Sequence, residues 1–165
     1  MPVGSAPVGT DPNRWLVRGA EIRTERPLIL GVLNLTPDSF SDGGSYTDPV
    51  VALARAERMI AEGADLIDVG GESTRPGAES VDAHEEWGRI GVVVEELARR
   101  GVPVSIDTTK SSVARRAVDA GAAVLNDVSG LRFDPALAGV AAESGAGLIL
   151  MHLRGTPRTM QRDVV

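Results

Sequence analysis

The sequence predicts an α/β fold on a parallel sheet, of the (β/α)8 TIM-barrel type with about five of eight strand–helix units present. Three observations predict it. Short apolar runs recur five times between residues 28 and 151, and each of the first four is followed by a stretch with helical spacing of apolar residues. Glycines stand where several of those helices should stop. Polar residues gather just after nearly every apolar run. Strands alternating with amphipathic helices form right-handed βαβ units and therefore parallel sheets.

Residues 1–14 lack a basic segment and a sustained apolar run, so they read as a flexible leader and not a signal peptide. Residues 15–165 read as one partial barrel domain. Trp15-Leu-Val17 and Ala20-Glu-Ile-Arg23 flank Arg18-Gly19 and suit a short hairpin. Leu28–Leu33 is nearly continuous in apolar residues, as expected of a strand buried on both faces. Residues 49–62 place Val50, Leu53, Ala56 and Ile60 on one side of a helix and Arg55, Arg58 and Glu62 on the other, with Gly63 to close it. Leu66–Val69 is the second strand. Asp82 with Glu85 three residues on is a capping-box pattern, opening a helix through Ile90, Val93, Val94 and Leu97 to Gly101. Val102–Ile106 is the third strand, residues 111–120 a helix closed by Gly121, and Ala122–Leu125 the fourth strand. Asp134-Pro135 reads as an N-cap followed by proline at the first helical position, for a helix to about Ser144. Gly147–Met151 is the fifth strand.

Composition sets the limits. The 165 residues are 42% hydrophobic and 24% charged, enough for one sizeable core. Aromatics make up only 3%, so Val, Leu, Ile and Ala must fill it. A net charge of -6 argues against nucleic acid or an anionic membrane surface as partner. The absence of cysteine excludes thiolate chemistry and disulfides. No apolar stretch reaches the roughly 18 residues that a membrane span needs. A cytoplasmic protein acting on small molecules is the expectation.

Two architectures fit the alternation: a doubly wound sheet and a barrel. A doubly wound sheet concentrates its ligand groups at one switch point, whereas a barrel converges all its strand ends on one site. Here Asn34, Gly70-Gly-Glu-Ser-Thr-Arg75, Asp107, Asn126-Asp127 and His152 follow successive strands, which favours the barrel.

Each strand end also has its own chemistry. Asn34 offers a neutral oxygen to a hard cation such as Mg²⁺, or simply caps a turn together with Asp38. The turn-rich segment to Gly44 has Phe40 as its one large apolar anchor and suits a lid. Gly70 and Gly71 let backbone approach a ligand, and Thr74 and Arg75 supply a hydroxyl and a guanidinium for phosphate. Alternatively, Arg75 pairs with Glu72 or Glu79. Asp107 can accept two parallel N–H bonds from an amino-amidine edge, or cap the next helix. Asn126 can donate and accept to the same heterocycle, and Met151 can wall off a flat ring. His152 reads equally as a ligand or a packed side chain. His84 reads as structural or solvated, and Lys110 as a solvated charge.

Taken together, these stretches resemble the dihydropteroate synthase family of pterin-binding barrels. The carrying segments are Leu30–Gly44 (LGVLNLTPDSFSDGG), Asp68–Gly77 (DVGGESTRPG), Ser105–Thr108, Asn126–Gly130 and Met151–Pro157, in the family's order. The resemblance implies a transferase of folate biosynthesis that joins 4-aminobenzoate to 6-hydroxymethyl-7,8-dihydropterin diphosphate and releases diphosphate. It assigns Asn34 to Mg²⁺, and Thr36, Thr74, Asp107 and Asn126 to substrate, with Val128 and Met151 beside the pterin ring. Phe40 and Pro76 would help hold aminobenzoate. Arg75 and Asp107 are the expected catalytic residues, and full-length members of the family are expected to form homodimers.

The family's later motifs do not occur after Met151: an aspartate in a DPG-type segment, a lysine in an SRK-type segment and an arginine–histidine pair. The 165-residue chain on its own is therefore expected to be inactive and poorly soluble, with two open sheet edges. The alternatives are a non-catalytic pterin- or anion-binding remnant and a methyltransferase-type pterin barrel. The intact Asn34–Gly44 segment argues against the second.

Overall fold

Period-two alternation and helix punctuation turn this sequence into seven strands and four helices in the computed structural model, which describes residues 11–36, 48–73 and 80–152. Strands β1 (Arg14–Val17) and β2 (Ala20–Arg23) pair as an antiparallel hairpin, Trp15 opposite Ile22 and Val17 opposite Ala20. Its two turn residues, Arg18 and Gly19, have φ of 49° and 78°. Two left-handed residues match the twist of a two-residue hairpin.

The remaining strands are β3 (Leu30–Asn34), β4 (Leu66–Gly70), β5 (Val104–Asp107), β6 (Val124–Asp127) and β7 (Gly147–Leu150). They form one parallel sheet in chain order. Between them lie α1 (Pro49–Ala61), α2 (Ala83–Arg99), α3 (Ser111–Asp119) and α4 (Ala136–Ser144). Sequential order has no switch point. With every crossover right-handed, it puts all four helices on one face and curls the other inward, as in a barrel. The expected α/β barrel-type fold with five units is what the structure shows. Among the described residues, β3 and β7 each pair on one side only.

Helix ends follow the sequence signals. Asp48 and Asp82 accept from the N–H of Val50 (2.9 Å) and Glu85 (2.8 Å). Gly63, Gly101 and Gly121, expected to close their helices, all take positive φ, between 76° and 110°. Pro135, expected as the first helical residue, instead stands as the N-cap of the helix that begins at Ala136, and the carboxylate of Asp134 before it serves more than that helix. It accepts from Ala136 N–H (3.1 Å) and from Ser111 N–H (2.8 Å), so it serves two helix starts.

Alternation along the strands makes two cores. Outward residues Leu33, Val69, Ile106 and Leu125 pack against helix residues such as Ile90, Val94, Val113 and Leu137. Inward residues at the start of the strands, Leu30, Leu66 and Val124, pack under the hairpin's Trp15, Val17 and Ile22. Gly147 makes that fit possible. A Cβ there would come within 2.7 Å of Val17 Cγ1 and nearer still to the Trp15 ring. The guanidinium of Arg18 latches the hairpin to the C-terminal end of α3 by donating to the carbonyls of Val118 and Ala122.

Candidate functional site

Residues two apart on a strand share a face, and parallel pairing aligns them across the sheet. One row of partners reads Asn34, Gly70, Asp107, Asn126, Ile149, and the row beneath it reads Val32, Asp68, Ser105, Val124, Gly147. These rows line the inner face at and just below the C-terminal strand ends. β3, β5 and β6 run one or two residues further than the apolar runs alone suggest, so Asn34, Asp107 and Asn126 are held by the sheet itself and not by the loops.

The register brings together three of the expected site residues. Gly70 leaves space between two of them. A Cβ there would lie 3.2 Å from Asn34 Oδ1 and 3.5 Å from Asp107 Oδ2. Asp107 is not a helix cap: the N–H of Ser111 goes to Asp134 and that of Lys110 to Thr108 Oγ1 (3.2 Å). Burial, then the charges of Asp68, Glu86, Asp127 and Glu72, push its carboxyl up to about 7. A carboxylate kept in such a place, with no compensating donor among the described residues, is a functional candidate.

Val128, half-buried, follows β6 on a turn built by Asp127. That carboxylate is fully buried and accepts from Ser129 N–H (2.7 Å) and Leu131 N–H (2.6 Å), so it shapes the loop and is not offered to a ligand. Met151 is exposed just past β7, and its N–H bonds the carbonyl of Asp127 (3.1 Å). Thr36 is buried two residues past Asn34. His152 is exposed, as is His84 on the first turn of α2. Phe40, Thr74, Arg75, Pro76 and Glu79 lie outside the described residues.

Two residues escaped the sequence reading. Asp68, in the middle of β4, accepts from Ser105 Oγ (2.6 Å) and Asn126 Nδ2 (3.1 Å). Burial raises its pKa, and the two hydrogen bonds offset part of that rise. The available signal was an acid inside the apolar run Leu-Ile-Asp-Val, two residues before Gly70 and so on the same face.

The other is Lys110, expected to be a solvated charge. It instead donates to Glu72 and to the fully buried Glu86 (2.6 Å). Burial pulls its ammonium down, but the hydrogen bonds and charges of the two carboxylates outweigh that and leave its pKa raised. Arg89 adds a second tie, donating to the carbonyl of Gly71 (2.7 Å). Glu72, considered as a partner for Arg75, is thus engaged by Lys110.

Chemically, the inner face offers acceptors: a neutral amide oxygen at Asn34, a carboxylate at Asp107 and an amide at Asn126. Such a mouth suits a ligand with clustered N–H donors. Among the described residues no three His, Cys, Asp or Glu side chains converge on a metal position, and no helix is long and apolar enough to cross a membrane.

Comparison with known proteins agrees with the geometry. The family model described as "Pterin binding enzyme" matches residues 30–164. A dihydropteroate synthase of Synechocystis is 49% identical over 138 residues, covering 83% of this chain and 48% of that protein. The crystal structure of Yersinia pestis dihydropteroate synthase with a sulfonamide drug complex superimposes with a TM-score of 0.83 at 45% identity, covering 91% of this chain and 55% of that one. The Burkholderia cenocepacia dihydropteroate synthase complexed with 7,8-dihydropteroate gives a TM-score of 0.75 at 46% identity, covering 90% of this chain and 49% of that one. This chain spans about half the length of the curated relatives it matches.

Proposed function

The chain belongs to the pterin-binding enzyme family, and on that premise we propose that it forms the pterin-binding half of a dihydropteroate synthase. The whole enzyme would condense 6-hydroxymethyl-7,8-dihydropterin diphosphate with 4-aminobenzoate, giving 7,8-dihydropteroate and diphosphate. The observation that carries this reading is the row Asn34–Gly70–Asp107–Asn126 on the inner face of the sheet, with Asp68 beneath it.

Each residue has a task in that reaction. Asp107, as a carboxylate, accepts N–H bonds from the pterin, and Asn126 beside it binds the same edge. Val128 and Met151 line the flat faces of the ring. Gly70 keeps the floor between Asn34 and Asp107 open. The bond from the pterin methylene carbon to the diphosphate oxygen breaks, the aminobenzoate nitrogen forms the new C–N bond, and that nitrogen loses a proton. No enzyme nucleophile is needed. Thr36, Thr74 and Phe40 with Pro76 complete the substrate contacts in this reading, and Arg75 joins Asp107 as the catalytic pair.

Mg²⁺ belongs to the same proposal. A single neutral oxygen from Asn34 suits an ion that keeps waters and takes substrate phosphates as its other ligands, and no dedicated protein cage is required. When bound, it supplies charge neutralisation to the leaving diphosphate. A cytoplasmic location and a homodimer of full-length chains complete the proposal.

The test is diphosphate release with both substrates, by a version extended to eight units, before and after Asp107→Ala. Turnover that the substitution abolishes, together with lost pterin binding, supports the synthase. Pterin binding without turnover favours a non-catalytic remnant, and unchanged pterin affinity in the variant removes Asp107 from the site.

A further inference from the structure

Asp68 is almost fully buried, places an acid in the middle of a strand, and has no task in the reaction just described. Its two oxygens are used separately: Oδ1 takes the hydroxyl of Ser105 on β5, and Oδ2 takes the amide NH2 of Asn126 on β6. An asparagine amide is a donor at one end and an acceptor at the other, so its function depends on which end is tied down. Here one N–H of the donor end is tied to Asp68, which fixes the way the amide faces. The carbonyl end is left to a ligand, one strand away from Asp107 in the same row. The reverse orientation would set the amide oxygen against a carboxylate, which repels it.

We infer that Asp68 is a positioning residue that sets, through Ser105 and Asn126, the polarity of the ligand site. With Asn126 held this way, the site presents two adjacent acceptors and selects heterocycles whose edge carries adjacent N–H donors. Ser105 has the supporting part: its hydroxyl occupies the other carboxylate oxygen and keeps Asp68 aimed at β6. The inference rests on the pterin reading only for the choice of ligand.

The test compares two ring systems that differ at one edge group. Pterin carries an amine donor at position 2, where lumazine carries a carbonyl acceptor. The full chain is titrated with 6-hydroxymethylpterin and with 6-hydroxymethyllumazine, before and after Asp68→Asn. The native protein should prefer the pterin by roughly 10- to 100-fold, the cost of leaving one buried polar group mispaired. In Asp68→Asn, Asn126 is free to turn its NH2 outward, and the preference should fall towards unity. A merely structural role would lower the melting temperature or weaken both ligands alike, and leave the ratio unmoved.

The side-chain amide resonances of Asn126 in the ligand-free protein give a second readout. They should shift and exchange faster with solvent in Asp68→Asn. Ser105→Ala, which leaves the carboxylate in place, should produce a smaller change of the same sign in both readouts, and it serves if Asp68→Asn does not fold. If the native protein binds no pterin, the pterin reading fails, while the amide resonances still decide the role of Asp68. Unchanged resonances, or shifted resonances with an unchanged ligand ratio, overturn the inference.

Discussion

The same five strands carry two unlike surfaces at their two ends. At the N-terminal ends the inner face is apolar, and the β1–β2 hairpin seals it with Trp15, Val17 and Ile22 over Leu66 and Val124. At the C-terminal ends the face is acidic, with Asp68 and Asp107 on the sheet and Glu72, Glu86 and Asp127 around them. One end gains stability by burying apolar area. The other gives stability away, because Asp107 is held among carboxylates with its pKa raised. The difference teaches where function sits in this sheet: at the end where groups are kept in places that folding alone would not choose.

That comparison can be broken at either end. The largest effect is expected from Gly147→Leu, since any Cβ at that position runs into Trp15 and Val17. The hairpin should undock, costing about 3 kcal/mol or more, with a red shift of tryptophan fluorescence. A stable protein with unshifted emission would mean that the hairpin does not form the seal.

Lys110→Met comes next. It leaves Glu86 buried with no cation, and one of its oxygens, Oε1, has no hydrogen-bond partner. Because Lys110 is itself partly solvated, the expected loss is about 2 kcal/mol, below the full cost of an orphaned buried charge, and denaturant titration can measure it. Glu86→Gln in the same background should recover part of that loss. The smallest effect is Arg26→Ala at the N-terminal end. It removes an exposed ion pair to Asp65 and should leave the melting temperature within experimental scatter.

Much of this plan was legible in the sequence. Apolar runs marked the strands, and Asp82 and the glycines 63, 101 and 121 marked helix ends, because those signals are local. Asn34, Asp107 and Asn126 stood out as candidate site residues because each closes an apolar run. Their alignment in one row was not, since register arises only when strands pair.

Lys110 was misread for the same reason. Its partners lie 38 and 24 residues away, at Glu72 and Glu86, and only the fold brings them close. Asp68 escaped because a lone acid inside an apolar run carries no sign of who its partners are. The hairpin was visible as two short strands around Arg18-Gly19, but its service as the seal depends on Gly147, 128 positions beyond Gly19.

The contrast between the two ends is tested most directly by the unfolding free energy of the native protein and of Asp107→Asn, followed from pH 4 to pH 8. A carboxyl whose pKa is raised in the folded state binds more protons folded than unfolded, so its contribution to stability falls as pH rises from the unfolded value to about 7. The neutral isostere escapes that loss. The two proteins should match near pH 4, and the variant should be more stable by on the order of 3 kcal/mol at pH 8, levelling off above pH 7. A variant that is equally stable or less stable than the native protein at pH 8 would show that Asp107 is part of what holds the sheet together, and that the acidic end is not kept at a cost.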